Sequence, residues 1–191
     1  WDGLPGARPQ AAAPAASPAE EPPVVICLGQ DEKTLGNWQG VYGNDGYILP
    51  SDPPRHPSYA IVGAIDAKPV PVAGASLDDV RTLQRPGGTG RSGYYYHGKK
   101  DITFDVEFTD GKTHKLSLYF SPVRGKGAVR VEVINPANGA TINAAEVDSI
   151  ENGRYVSWLI KGRVRFRTTG PWPQWAALDG IFFDPPPRRD G

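Results

Sequence analysis

The chain has no methionine, one cysteine and no excess charge of either sign: 21 Lys and Arg residues balance 21 Asp and Glu residues. Without a net field, nothing draws it to a phosphate backbone or an anionic lipid surface, so nucleic acid is not an expected partner. A lone cysteine makes neither an intramolecular disulfide nor a zinc cage. Cys27 sits in the apolar run Val24-Val25-Ile26-Cys27-Leu28 and is expected to be a small buried hydrophobe. Its local sequence offers no base or cation to activate a thiolate. No stretch approaches the roughly 20 apolar residues of a membrane span, and no secretory signal is visible. A chain that starts at Trp1 without methionine is expected to be a processed mature form or a fragment.

Catalytic signatures are missing too. The sequence has no Gly-x-Ser-x-Gly elbow, no His-Glu-x-x-His and no phosphate-binding glycine loop. His56, His97 and His114 are scattered without metal-ligand spacing. Asp101, Asp105 and Glu107 alternate along one stretch, and a glycosidase needs two carboxylates across a cleft. The same alternation describes a solvated sheet face. A protein without catalytic activity is the expectation.

What the chain has is glycine, proline and aromatic rings. Residues 1–23 are punctuated by Pro5, Pro9, Pro14, Pro18, Pro22 and Pro23 in an Ala-rich run. Such a composition cannot bury enough apolar surface to offset its ordering entropy, so it reads as a linker or docking tail. Residues 185–191 form a second Pro-rich exit. In residues 31–49, Gly36, Gly40, Gly43 and Gly46 alternate with Trp38, Tyr42 and Tyr47. That stretch is too glycine-rich for a helix and too aromatic for a linker.

Residues 24–184 read as strands and turns. Ile102, Phe104, Val106 and Phe108 alternate with polar residues, a period of two with one apolar face. Asp110-Gly111 is a hairpin turn signal, followed by the alternating Leu116, Leu118 and Phe120. Val129, Val131 and Val133 alternate before Asn138-Gly139. Residues 154–160 and 163–169 flank the turn Lys161-Gly162, and 177–183 closes the domain. Earlier strands are predicted at 24–28, 58–64 and 92–97, with one helical turn at Asp78–Leu83. Short strands with frequent turn signals point to an all-β sandwich or jelly roll.

Gly36-Asn-Trp-Gln-Gly-Val-Tyr-Gly-Asn-Asp-Gly-Tyr resembles the opening motif of a bacterial β-sandwich domain similar to galactose-binding-like jelly rolls. Asp79-Val-Arg-Thr-Leu-Gln, Ile102–Tyr119, Gly153-Arg-Tyr-Val-Ser-Trp and Leu178-Asp-Gly-Ile-Phe-Phe-Asp continue the likeness in order. It covers roughly residues 25–184. The family implies an antiparallel jelly-roll β-sandwich, often appended to secreted glycoside hydrolases and cell-surface proteins. It therefore implies a periplasmic, cell-surface or secreted location and a non-catalytic, carbohydrate-binding type of role. Its relatives tend to carry an acidic and aromatic segment where this chain has Phe120-Ser-Pro-Val-Arg-Gly-Lys-Gly. The alternative is a structural or accessory subunit that docks through its Pro-rich tail onto a larger protein assembly.

Three groups of residues are candidates for a site. Sugars stack their apolar faces on aromatic rings, which selects Trp172 and Trp175 in a Pro-rich loop, Tyr95 in the run Tyr94–Tyr96, and Tyr47, with Arg91 grouped beside them. The alternative is that such rings plug the sandwich. Arg163, Arg165 and Arg167 share one face of a strand and could meet an acidic partner, or pair with Glu107 and Glu132 on neighbouring strands. Galactose-binding-like sandwiches often hold a structural calcium; Asp31, Asp45 and Asp184 could contribute oxygens to one, or simply form turns.

Overall fold

A computed structural model describes residues 21–72, 77–122, 127–172 and 175–187, without the side chains of 171, 172 and 175. All its regular elements are strands: β1 (Val24–Asp31), β2 (Gly46–Ile48), β3 (Ala60–Val62), β4 (Lys68–Pro71), β5 (Tyr94–Gly98), β6 (Asp101–Phe108), β7 (His114–Phe120), β8 (Val129–Ile134), β9 (Thr141–Val147), β10 (Arg154–Lys161), β11 (Arg163–Thr169), β12 (Pro171–Trp172), β13 (Trp175–Leu178) and β14 (Gly180–Asp184). Most of the Ala/Pro-rich tail and residues 188–191 lie outside the described residues. No helix among the described residues is long and apolar enough to cross a membrane.

The strands form a five-stranded sheet ordered β1-β10-β7-β14-β2, a second five-stranded sheet ordered β3-β6-β11-β8-β9, and a four-stranded sheet ordered β12-β13-β5-β4. Every pairing is antiparallel. The period-two pattern explains why the two large sheets stack. Val156, Trp158 and Ile160 of β10 meet Ile102, Phe104 and Val106 of β6 and Val164 and Phe166 of β11 in one core. Trp158 sets its ring edge-on to Phe166 at 5.4 Å between the sheets. The result is an all-β sandwich, as the alternation predicts. The small sheet adds Ala176 and Leu178 of β13 to the same core.

Three local expectations change. The strand predicted at 177–183 is two strands. It breaks at the buried Asp179, where the chain leaves β5 and joins β7. Asp179 accepts hydrogen bonds from the Ser121 backbone N–H at 2.8 Å and the Ser121 hydroxyl at 2.6 Å. Asp78–Leu83 forms consecutive turns, not a helical turn. Cys27 is exposed, because β1 is the edge strand of its sheet, flanked by β10 alone. Strands β4 and β9 lie at sheet edges and show almost no apolar alternation.

The glycine-and-aromatic stretch covers the outer face of the first sheet. Trp38 and Tyr42 pack there with Tyr119 of β7, Tyr155 of β10 and Phe182 of β14 in a second apolar cluster. Tyr42 stacks on Tyr155 at 4.0 Å between ring centroids, 5° from parallel. Gly36 shows why glycine is required. Its N–H donates to the Val80 carbonyl at 2.8 Å, and a Cβ there would lie 2.0 Å from the Thr82 carbonyl oxygen.

Candidate functional site

Two glycine-bearing loops face each other above this second cluster. One is residues 36–46. The other is Arg85–Gly90, closed by an Arg85 N–H to Gly90 carbonyl bond of 3.0 Å. Their spacing is fixed by side chains. The Trp38 indole donates to the Gln84 carbonyl at 2.7 Å, and the Gln39 amide donates to the Arg85 carbonyl at 2.8 Å. Between the loops runs an open groove of about 260 Å³ whose lining includes Trp38, Gln39, Asn44, Tyr47, Arg55 and Gly87.

Tyr47 is the half-buried ring of this groove. Its ring lies 4.9 Å from that of Trp38. The Arg55 guanidinium sits 5.5 Å from the Tyr47 centroid, donates to the Gly43 carbonyl at 3.2 Å, and also bonds the Asn44 carbonyl. Reciprocal backbone bonds of 2.8 and 2.9 Å lock Tyr47 against Arg55. An aromatic ring, a guanidinium and the carboxamides of Gln39 and Asn44 therefore line one shallow depression. Planar donors beside a ring are the groups that can bind hydroxyls and CH faces together.

The sequence-predicted residues fall in several places. Tyr47 lines the groove. Arg91 borders a neighbouring depression with Gly88 and Gly90, but its guanidinium is committed to the Thr82 carbonyl at 2.6 Å and Asn37 Oδ1 at 2.7 Å. Tyr95 does not present its ring: it is 5% exposed, edge-on to His97. Tyr94 is the exposed member of the three, and Tyr96 packs on the main core. The backbones of Trp172 and Trp175 pair across β12 and β13; their rings lie outside the described residues.

The arginine face is a charge ladder. Arg165 and Arg163 share Asp105, through bonds of 2.6 and 3.1 Å, and Arg167 donates to Glu132 at 2.8 Å. Arg130 also pairs with Glu132 and Glu146. The cations are thus matched by carboxylates on neighbouring strands, with Asp105 taking the place predicted for Glu107. Hydrogen bonding from Arg165 holds the Asp105 carboxyl below its ordinary range.

The three candidate calcium carboxylates are apart. Asp31 accepts from the Lys33 and Thr34 backbones, the Thr34 hydroxyl and the Tyr42 hydroxyl. Burial alone would raise its pKa, but these bonds outweigh it and lower it. Asp45 accepts from Tyr59 at 2.7 Å. Asp184 accepts from the Gly43 and Asn44 backbones and the Asn44 amide. Among the described residues no group of three or more His, Cys, Asp or Glu side chains could hold a metal ion.

Arg55, Gln39, Asn44 and the second loop were not singled out by sequence reasoning. Pro86-Gly87-Gly88 is a legible turn signal, but nothing in the sequence brings it opposite Gly36–Gly46, some forty residues earlier.

No family model matches the chain, and no curated protein matches it. Among solved structures it is similar to TmCBM61, a carbohydrate-binding module in complex with β-1,4-galactotriose. The two are 14% identical, over 68% of this chain and 90% of that one, with a TM-score of 0.32.

Proposed function

We propose that the protein is a non-catalytic, extracytoplasmic module that binds carbohydrate in the groove between its two glycine-bearing loops. The observation that carries this reading is the convergence of Tyr47, Trp38, Arg55, Gln39 and Asn44 on one open depression. The groove is shallow and open, the shape that suits a chain of sugar units passing over it. Its rings are held by packing and its loops by backbone and side-chain bonds, so little ordering entropy is lost on binding. The family resemblance of residues 36–47 supports the same class of role. Affinity electrophoresis against a panel of neutral polysaccharides tests it. Retardation that Tyr47→Ala removes is the expected result; a folded protein retarded by none of them overturns it.

A further inference from the structure

A second groove, about 630 Å³, lies beside the small sheet, between residues 65–70 and the β5–β6 turn. Its floor is apolar, from Ile65, Ala67 and Val70. Its rim carries Lys68, Lys99 and Lys100. Both walls are tied to the start of β6. The Asp66 N–H donates to the Thr103 carbonyl at 2.9 Å and the Gly63 N–H to the Asp105 carbonyl at 2.9 Å. On the opposite wall, Gly98 allows the turn to close tightly, since a Cβ there would lie 2.2 Å from the Asp101 carbonyl oxygen. Lys68 is paired in register with His97 across β4 and β5, so both side chains leave the same face of that sheet.

These lysines differ from the arginines of β11. Arg163, Arg165 and Arg167 are matched by Asp105 and Glu132. Among the described residues, the ammonium groups of Lys68, Lys99 and Lys100 engage no carboxylate. Three uncommitted cations outnumber the two acids of the groove, Asp66 and Asp101. An apolar floor with a cationic rim fits a ligand that has both an apolar face and an anionic group.

We infer that this groove binds an anionic saccharide, its carboxylate or sulfate held by Lys68, Lys99 and Lys100 and its CH face laid on Ile65 and Val70. The inference rests on the carbohydrate reading for the class of ligand, but not for the site. Titration of the full chain with trigalacturonate and with a sulfated galactan oligosaccharide tests it, and the two probes separate a carboxylate from a sulfate ligand. Neutral oligosaccharide and the variant Tyr47→Ala serve as the parallel arm. The expected result is binding of at least one anionic probe, weakened by added salt. It should fall at least about tenfold in the triple variant Lys68→Ala/Lys99→Ala/Lys100→Ala, because each charged hydrogen bond lost is worth a similar factor. Tyr47→Ala leaves it unchanged. All three lysines are exposed, so the variant keeps the wild-type circular dichroism and melting temperature. Undiminished affinity in the triple variant overturns the inference, as does a folded wild type that binds neither anionic probe. Loss of neutral binding alone counts against the loop groove and leaves this site standing.

Discussion

Gly36 and Asp179 carry more of the structure than their size suggests. A methyl group at Gly36 would collide with the Thr82 carbonyl, and backbone cannot move aside as a side chain can. Gly36→Ala should cost about 2–3 kcal/mol, the upper part of the usual range for single substitutions, measured by urea unfolding. Asp179 is buried, and that burial pushes its carboxyl up to about 7 against the pull of the Ser121 bonds. A folded-state pKa above the unfolded one means that the native protein holds a proton the unfolded chain has released. Stability from this group is complete below about 4, near the ordinary Asp value, and declines as pH rises through about 7. Relative to Asp179→Asn, the wild type should therefore lose stability over that interval in thermal melts at stepped pH. Equal pH slopes for the two proteins would refute this assignment.

At the scale of elements, strands with one face on the main core were legible, as were the edge strands β1 and β3 from their apolar runs, but the edge strands β4 and β9 were not. Residues 102–108, 116–120 and 129–133 alternate cleanly because each buries one face between the sheets. β9 and β4 alternate poorly because they lie at edges, and β4 carries Pro69 and Pro71, which an edge tolerates. The same edge position explains Cys27: the apolar run Val24–Leu28 suggests burial on both faces, but only Val25 packs on the core. The aromatic loop was legible as structured, and Tyr47 as a candidate site residue. The groove was not, because Arg55 and Arg85–Gly90 reach it through contacts distant in sequence. Trp38 anchors both the loop and the second cluster, so Trp38→Ala should cost about 3–5 kcal/mol, the cost of deleting a large buried ring. By contrast, Arg165→Ala on the exposed ladder should cost no more than about 1 kcal/mol, and both are read from denaturation midpoints.

The whole molecule is a sandwich whose two outer faces do different work. The outer face of the β6–β11–β8 sheet is a self-neutralising ladder of Arg and acid. The outer face of the β10–β7–β14 sheet is sealed by rings and loops, and there an aromatic side chain and planar polar groups line one depression. This division is why the alternating pattern predicts the architecture while leaving the site to tertiary geometry. The saccharide reading is tested most directly by NMR titration of the isotope-labelled chain with the neutral oligosaccharide that retards it most in electrophoresis. The account predicts saturable shifts concentrated in residues 36–47, Arg55 and Arg85–Gly90, abolished by Tyr47→Ala with the fold intact. Shifts confined to other surfaces, or none across the neutral panel, would contradict it.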